Sequence, residues 1–94
     1  MPLSLLQTRV KIAANIQVTL KETVSDPQGS TIAGGLKKLG FQTVQDVRAG
    51  KYFQITLEAE SIESAEESVV QMCKKLLSNP VIETFNYKLK VKDK

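Results

Sequence analysis

The 94 residues contain no histidine and no tryptophan, one cysteine, three prolines, two tyrosines and three phenylalanines. Each scarcity removes a class of chemistry. Without imidazole there is no Ser-His or Cys-His nucleophile pair, no histidine general base and no histidine-containing zinc site. The single cysteine, Cys73, closes no internal disulfide, which fits a reducing compartment. No apolar run approaches the roughly 20 residues of a membrane span, and Met1–Leu6 carries three leucines with no lysine or arginine before them. The expectation is a soluble, cytoplasmic chain without a targeting segment.

Charge is not concentrated either. Thirteen lysines and arginines stand against ten acids. They fall as three cations and one anion in residues 1–25, four of each in 26–60, and six against five in 61–94. There is no basic stripe along the sequence, so nucleic acid is not implied. A chain of 10.4 kDa has room for one domain. With 41% hydrophobic residues and no disulfide its stability is marginal, so self-association or a partner is expected.

What is present has clear periodicity. From Val10 to Leu20 the even positions Val10, Ile12, Ala14, Ile16, Val18 and Leu20 are apolar and polar residues alternate with them, the period of a half-buried strand. Asp26-Pro27 reads as an N-cap and a proline at the first helical position. Ile32, Leu36 and Leu39 follow at helical spacing, and Gly40 supplies a left-handed stop, so a helix is predicted over about 27–39. Thr43–Arg48 and Lys51–Glu58 read as two strands joined by a tight Ala49-Gly50 turn. Val44 and Val47, three apart, do not share a strand face, so a bulge or longer turn is expected there and the register stays open. Ser61 or Ser64 caps a second helix whose stripe is Ile62, Ala65, Val69, Met72, Cys73 and Leu76, ended by Asn79-Pro80. The last strand runs from about Val81 to Val91. The order β-α-β-β-α-β predicts an α+β, ferredoxin-like fold, an antiparallel sheet with both helices on one face. Residues 1–9 form an N-terminal extension, 10–91 a single domain and 92–94 a C-terminal tail.

The open sheet face would carry Ala13, Asn15, Gln17, Thr19, Tyr52, Gln54, Thr56, Thr84 and Asn86, with charge only at its margins. It is either an ordinary polar face or one that meets another subunit. The second is favoured because neutral polar side chains cost less to desolvate than charges. The apolar arc of the second helix is wider than one sheet needs and includes Glu66, either a carboxylate leaning outward or a partner contact. Gly29 projects to the buried side of the first helix, where it allows close approach of the sheet. Gly34 projects to the opposite side, either tolerated there or a place where another backbone comes close. The Asp26-Pro27-Gln28-Gly29-Ser30 helix start could hold phosphate, but the Asp26 carboxylate already takes that role and repels anions. Arg48 and Lys51 flank a turn, as a hairpin tip or as an anion site. Cys73 is placed in the apolar arc as inert packing.

An ordered set of short motifs resembles the PurS family, the small subunit of phosphoribosylformylglycinamidine synthase. It comprises Leu20-Lys21 with Val24, Asp26-Pro27-Gln28-Gly29, Leu39-Gly40-Phe41, Val44, Val47-Arg48, Gly50-Lys51, Met72-Cys73 and Leu76-Leu77-Ser78-Asn79-Pro80-Val81-Ile82-Glu83. The resemblance spans about Ala14 to Tyr87. It departs from the family at the added Met1–Arg9 stretch, at Ser25, and at Gly34-Gly35. It implies a non-catalytic subunit that self-associates as a homodimer or larger homo-oligomer. Such a subunit bridges a glutaminase subunit, PurQ, and an ATP-dependent synthetase subunit, PurL, in purine biosynthesis. Mg-ATP and glutamine would be used by those partners, with no cofactor, metal or catalytic residue on this chain. By motif matching, the residues expected to face partners are Asp26, Gln28, Arg48, Lys51, Asn79 and Glu83. Two other readings stand beside this one. A ferredoxin-like RNA-binding module would need aromatics on its central strands, where this chain has Tyr52 but also Asn15 and Gln17. A small-ligand regulatory domain would bind its ligand at a dimer interface.

Overall fold

The computed structural model describes residues 9–92. Except for Arg9, the N-terminal extension lies outside the described residues, as do the last two residues of the tail. Strand β1 (Val10–Leu20) is followed by α1 (Pro27–Lys38), β2 (Gly50–Ala59), α2 (Ile62–Met72) and β3 (Glu83–Lys92). Cys73–Leu77 continue α2 as a π-helical turn. The sheet order is β2-β1-β3, antiparallel throughout.

The alternation of β1 decides the core. Ile12, Ala14, Ile16 and Val18 are at most 1% exposed and lie beneath α2, whose Ala65, Val69 and Cys73 recur every four residues on the facing side. Phe53, Ile55 and Leu57 of β2 and Phe85, Tyr87 and Leu89 of β3 flank that seam, half-buried. The opposite face has cross-strand rows Gln54–Asn15–Lys88, Tyr52–Gln17–Asn86 and Gly50–Thr19–Thr84. Its central strand is neutral from Ala13 to Thr19, and its charge lies on Lys11, Glu58 and the Lys88, Lys90 and Lys92 series of β3, with Lys88 beside Asn15.

The helix ends follow local chemistry. Asp26 caps α1 by accepting from the Gly29 N–H, with Pro27 in the first turn. At the far end Gly40 takes φ +105°. Its N–H donates to the Lys37 carbonyl and that of Phe41 donates to Leu36, the paired bonds of a Schellman closure. Ser61, rather than Ser64, caps α2, accepting from the Ser64 N–H at 3.1 Å.

The ferredoxin-like α+β class stands, with two differences in arrangement. Thr43–Arg48 is not a strand, so the sheet has three strands and there is no Ala49-Gly50 hairpin; Gly50 opens β2. The segment is tied locally and at its flanks instead: the Val44 N–H donates to Phe41, Arg48 to Lys21 and Val24, and on either side the Gln42 amide donates to Lys37 and the Ala49 N–H to Asp26. The second difference is that α1 does not cover the sheet. It has at most marginal contact with the strands or α2, and forms, with residues 39–49, an arm beyond the sheet end where β1 stops and β2 and β3 begin. The arm's own packing uses Ala33, Leu36, Val44 and Val47, all half-buried, while Leu39 is 75% and Phe41 56% exposed.

Gly29 is close-packed, but against the arm's return segment rather than the sheet: a Cβ there would fall on the Val47 carbonyl oxygen and 2.9 Å from Asp26 Oδ2. Nothing lies within 4 Å of a Cβ on Gly34. Gly29→Ala is therefore expected to destabilise the chain by about 1–3 kcal/mol, as backbone must shift. Gly34→Ala is expected to stabilise it by about 0.5–1 kcal/mol, because alanine loses less entropy in a helix. Urea denaturation of the two variants beside the parent measures both signs.

Candidate functional site

The six residues singled out by motif gather at one end of the sheet, where the arm joins it. Asp26, Gln28, Lys51 and Glu83 line a single cleft with Ala49 and Gly50. Arg48 and Asn79 attach to the same end by hydrogen bonds. Residues from four segments thus meet, because β2 starts opposite Thr19 and β3 starts opposite Leu20.

Asp26 is the junction. One carboxylate oxygen accepts from the Gly29 N–H at 2.9 Å and the other from the Ala49 N–H at 2.7 Å. The side chain thus closes a helix start and pins the return of the arm 23 residues later. These bonds, aided by the Arg48 guanidinium and the Gln28 N–H, hold its carboxyl below the usual aspartate range against a lesser opposing effect of burial. Arg48 donates from one nitrogen to the Lys21 carbonyl at 2.9 Å and the Val24 carbonyl at 3.0 Å, closing the loop that enters the arm. Lys21 N–H donates in turn to the Ile82 carbonyl.

On the other side of β1, Glu83 accepts the Asn79 N–H on Oε1 at 2.6 Å and faces Lys51 Nζ with Oε2 at 3.8 Å. The Asn79 side chain accepts the Val81 N–H at 3.1 Å, fixing the turn before β3. With Lys51 still 59% exposed, its ion pair contributes at most about 1 kcal/mol. Gln28 reaches the cleft from the first turn of α1, with no side-chain hydrogen bond among the described residues.

The cleft holds about 160 Å³, below the roughly 300 Å³ at which ligand pockets begin. Asp26 accepts on both oxygens, Glu83 accepts on one and faces Lys51 with the other, and Arg48 donates to two carbonyls. Among the described residues no group of three or more metal-ligating side chains exists. The larger hollows beside α2 are lined by that helix alone, so they are surface rather than enclosed sites. Cys73 is buried and its thiol is pushed up by desolvation, the reverse of a reactive cysteine. The arrangement is a clamp that shapes one end of the molecule.

Two features escaped the sequence. Glu66 is exposed, as a carboxylate leaning outward would be, but it does not stand free: it accepts a hydrogen bond from the Tyr87 hydroxyl at 2.7 Å, binding α2 to β3 and pushing the tyrosine pKa up. Leu76, assigned to the buried stripe, is 83% exposed, and Val81 beyond the turn is 77% exposed. The π turn adds a residue to the last coil, seats Leu77 inward and swings Leu76 out; Ser78 closes it with N–H and hydroxyl bonds to the Cys73 carbonyl. The only sequence signal was the over-wide apolar arc.

Asp26→Asn tests the junction. An amide keeps one acceptor but turns N–H groups toward the Ala49 donor, so a Tm lower by several degrees is expected at neutral pH. Because the folded pKa is lowered, the stability from Asp26 is complete above the ordinary value of about 3.9 and is lost as pH falls through the folded value. Thermal melts at descending pH should show the parent and the variant converging below about pH 3.9.

The matches to known proteins agree with this geometry. Residues 13–91 match the model of the family described as PurS, phosphoribosylformylglycinamidine (FGAM) synthase. The synthase subunit PurS of Archaeoglobus fulgidus is 44% identical over 73 residues, 78% of this chain and 91% of that protein. The crystal structure of Methanocaldococcus jannaschii PurS superposes with a TM-score of 0.79 at 38% identity, covering 87% of this chain and 99% of that one. It is described as one of the subunits of formylglycinamide ribonucleotide amidotransferase in the purine biosynthetic pathway. A chain of the PurLQS structure from Thermotoga maritima matches with a TM-score of 0.74 at 34% identity, covering 87% of this chain and 98% of that one. This chain belongs to the PurS family, as a subunit of phosphoribosylformylglycinamidine synthase in purine biosynthesis.

Proposed function

We propose that this chain is the non-catalytic bridge of the synthase, holding a PurQ-type glutaminase and a PurL-type synthetase together in the cytoplasm so that ammonia released from glutamine passes between them. The observation that carries the reading is that every charged residue of the clamp is tied within the chain, leaving no group to activate a nucleophile or orient a metal. Mg-ATP and glutamine are bound by the partner subunits, and this chain takes no cofactor. A bridge works by raising the effective concentration of one active site near the other.

The same reading includes self-association. The arm exposes Leu39 and Phe41 instead of seating α1 on its own sheet, and the open sheet face is neutral at its centre. Both the exposed apolar arm and the amide-rich strand β1 favour burial against protein. Among the described residues no helix is long and apolar enough to cross a membrane.

Glutamine-dependent synthesis reconstituted from purified PurL-type and PurQ-type subunits should fall by about tenfold or more when this chain is omitted. Ammonia supplied directly should sustain the synthetase, and an undiminished glutamine-dependent rate would sink the bridging reading. Light scattering of the isolated chain should give a mass above 10.4 kDa, reduced by Leu39→Ser with Phe41→Ser.

A further inference from the structure

Strands β2 and β3 are the two edges of the sheet, each paired with β1 alone, and the edges differ in charge. β3 carries Lys88, Lys90 and Lys92, all exposed, and lysines of this kind keep an edge strand from pairing with other chains. β2 has no charged residue between Lys51 and Glu58, a run of Tyr52-Phe53-Gln54-Ile55-Thr56-Leu57. Beyond the ladder with β1, no backbone hydrogen bond among the described residues involves 51–59. This is also the edge that a hairpin strand over Thr43–Arg48 would have covered, since the other side of β2 is taken by β1; that segment lies in the arm instead. The sheet therefore ends in an uncharged strand whose outward N–H and C=O groups have no partner among the described residues.

From this geometry we infer that β2 pairs antiparallel with β2 of a second copy of the chain, joining two three-stranded sheets into one of six strands. A two-fold axis perpendicular to the sheet keeps both α2 helices on one side, so residues facing each other across the seam lie on the same side of the sheet. With Ile55 opposite its own copy, Phe53 faces Leu57 on the helix side, while Gln54 faces Thr56 and Tyr52 faces Glu58 on the open side. Lys51 faces Ala59, and no like charges meet. The three lysines of β3 fall at the two outer margins of the joined sheet, as far from their counterparts as the arrangement allows. The strand is thus complementary to itself, which is what selects a second copy over a strand of another protein.

This pairing deepens the self-association reading and rests on it, and the experiment separates the two. The full chain is compared with Gln54→Lys plus Thr56→Lys and with Gln54→Glu plus Thr56→Glu, self-association being followed by light scattering over a dilution series and folding by circular dichroism. Both positions are exposed on the open face, so the spectra should match the parent's. Each variant alone sets two like-charged pairs across the seam, and its dissociation constant should rise about tenfold or more, with part of the loss recovered in high salt. An equal mixture of the two should regain the parent's association, because each lysine then meets a glutamate. Gln54→Lys with Thr56→Glu should associate as the parent does, and weakness in that chain would overturn the Ile55 register. Parent-like association of the two like-charged variants, or no recovery on mixing, would overturn the pairing alone. So would loss of binding to a purified PurL-type or PurQ-type subunit with the mass unchanged, which would give the edge to that subunit. A parent that stays at 10.4 kDa throughout would overturn the self-association reading and the pairing with it.

Discussion

One carboxylate sets the geometry of the functional end. Asp26 accepts from Gly29 within its own helix and from Ala49 just before β2, so the two ends of a 20-residue excursion are held at a single point. That closure places conditions on its neighbours. Gly29 must lack a Cβ because the Val47 carbonyl occupies the space, and Arg48, next to the pinned residue, is brought within reach of the Lys21 and Val24 carbonyls. Since the Lys21 N–H reaches the Ile82 carbonyl, the constraint passes across the top of β1 to the turn before β3. Without the carboxylate the arm would join the sheet through flexible loops, and the loop-closure entropy would work against a defined orientation.

The sheet supplies the rigid base on which this junction stands. β1 is paired on both sides and buried on one face, so it has no freedom to slip register without exposing Ile12, Ile16 and Val18 together. With α2 alone covering that face, the core is narrow: its fully buried large side chains are Ile12, Ile16, Val18, Val69 and Cys73. A core of this size can position loops at its end but has little to spare for an active site carrying uncompensated buried charge. The tied charges of the clamp fit that limit, and so does membership of a family whose members work as subunits.

How much of this was legible in the sequence depended on whether local chemistry or distant contact decided the outcome. The period-two run of β1 and the Asp26-Pro27 and Gly40 boundaries of α1 were readable because each is settled within a few residues. The motif residues were gathered by resemblance, and only the structure places them around one cleft. Thr43–Arg48 reads as a strand because Val44 and Val47 suggest β propensity, whereas Val44 and Arg48 bond to Phe41, Lys21 and Val24 and the flanking Gln42 and Ala49 to α1 and Asp26. Placing α1 on the sheet followed from the fold class, and nothing in its own pattern of Ile32, Leu36 and Leu39 distinguishes one's own sheet from another apolar surface. Leu76 went astray through the period: a 100° rotation puts it in line with Cys73, but the π turn breaks that phase in the last coil.

These departures concern surface more than core. The arm exposes Leu39 and Phe41, and the open sheet face is amide-rich along β1 but carries Lys88, Lys90 and Lys92 along β3, so a two-fold contact there has to keep those lysines apart. The Leu76–Val81 turn is apolar at two exposed positions and has charges of both signs at the same end of the sheet. A subunit that must both self-associate and hold a different protein needs surfaces that do not compete. Apolar burial is non-directional, so it is the charges set beside each apolar surface that discriminate between partners.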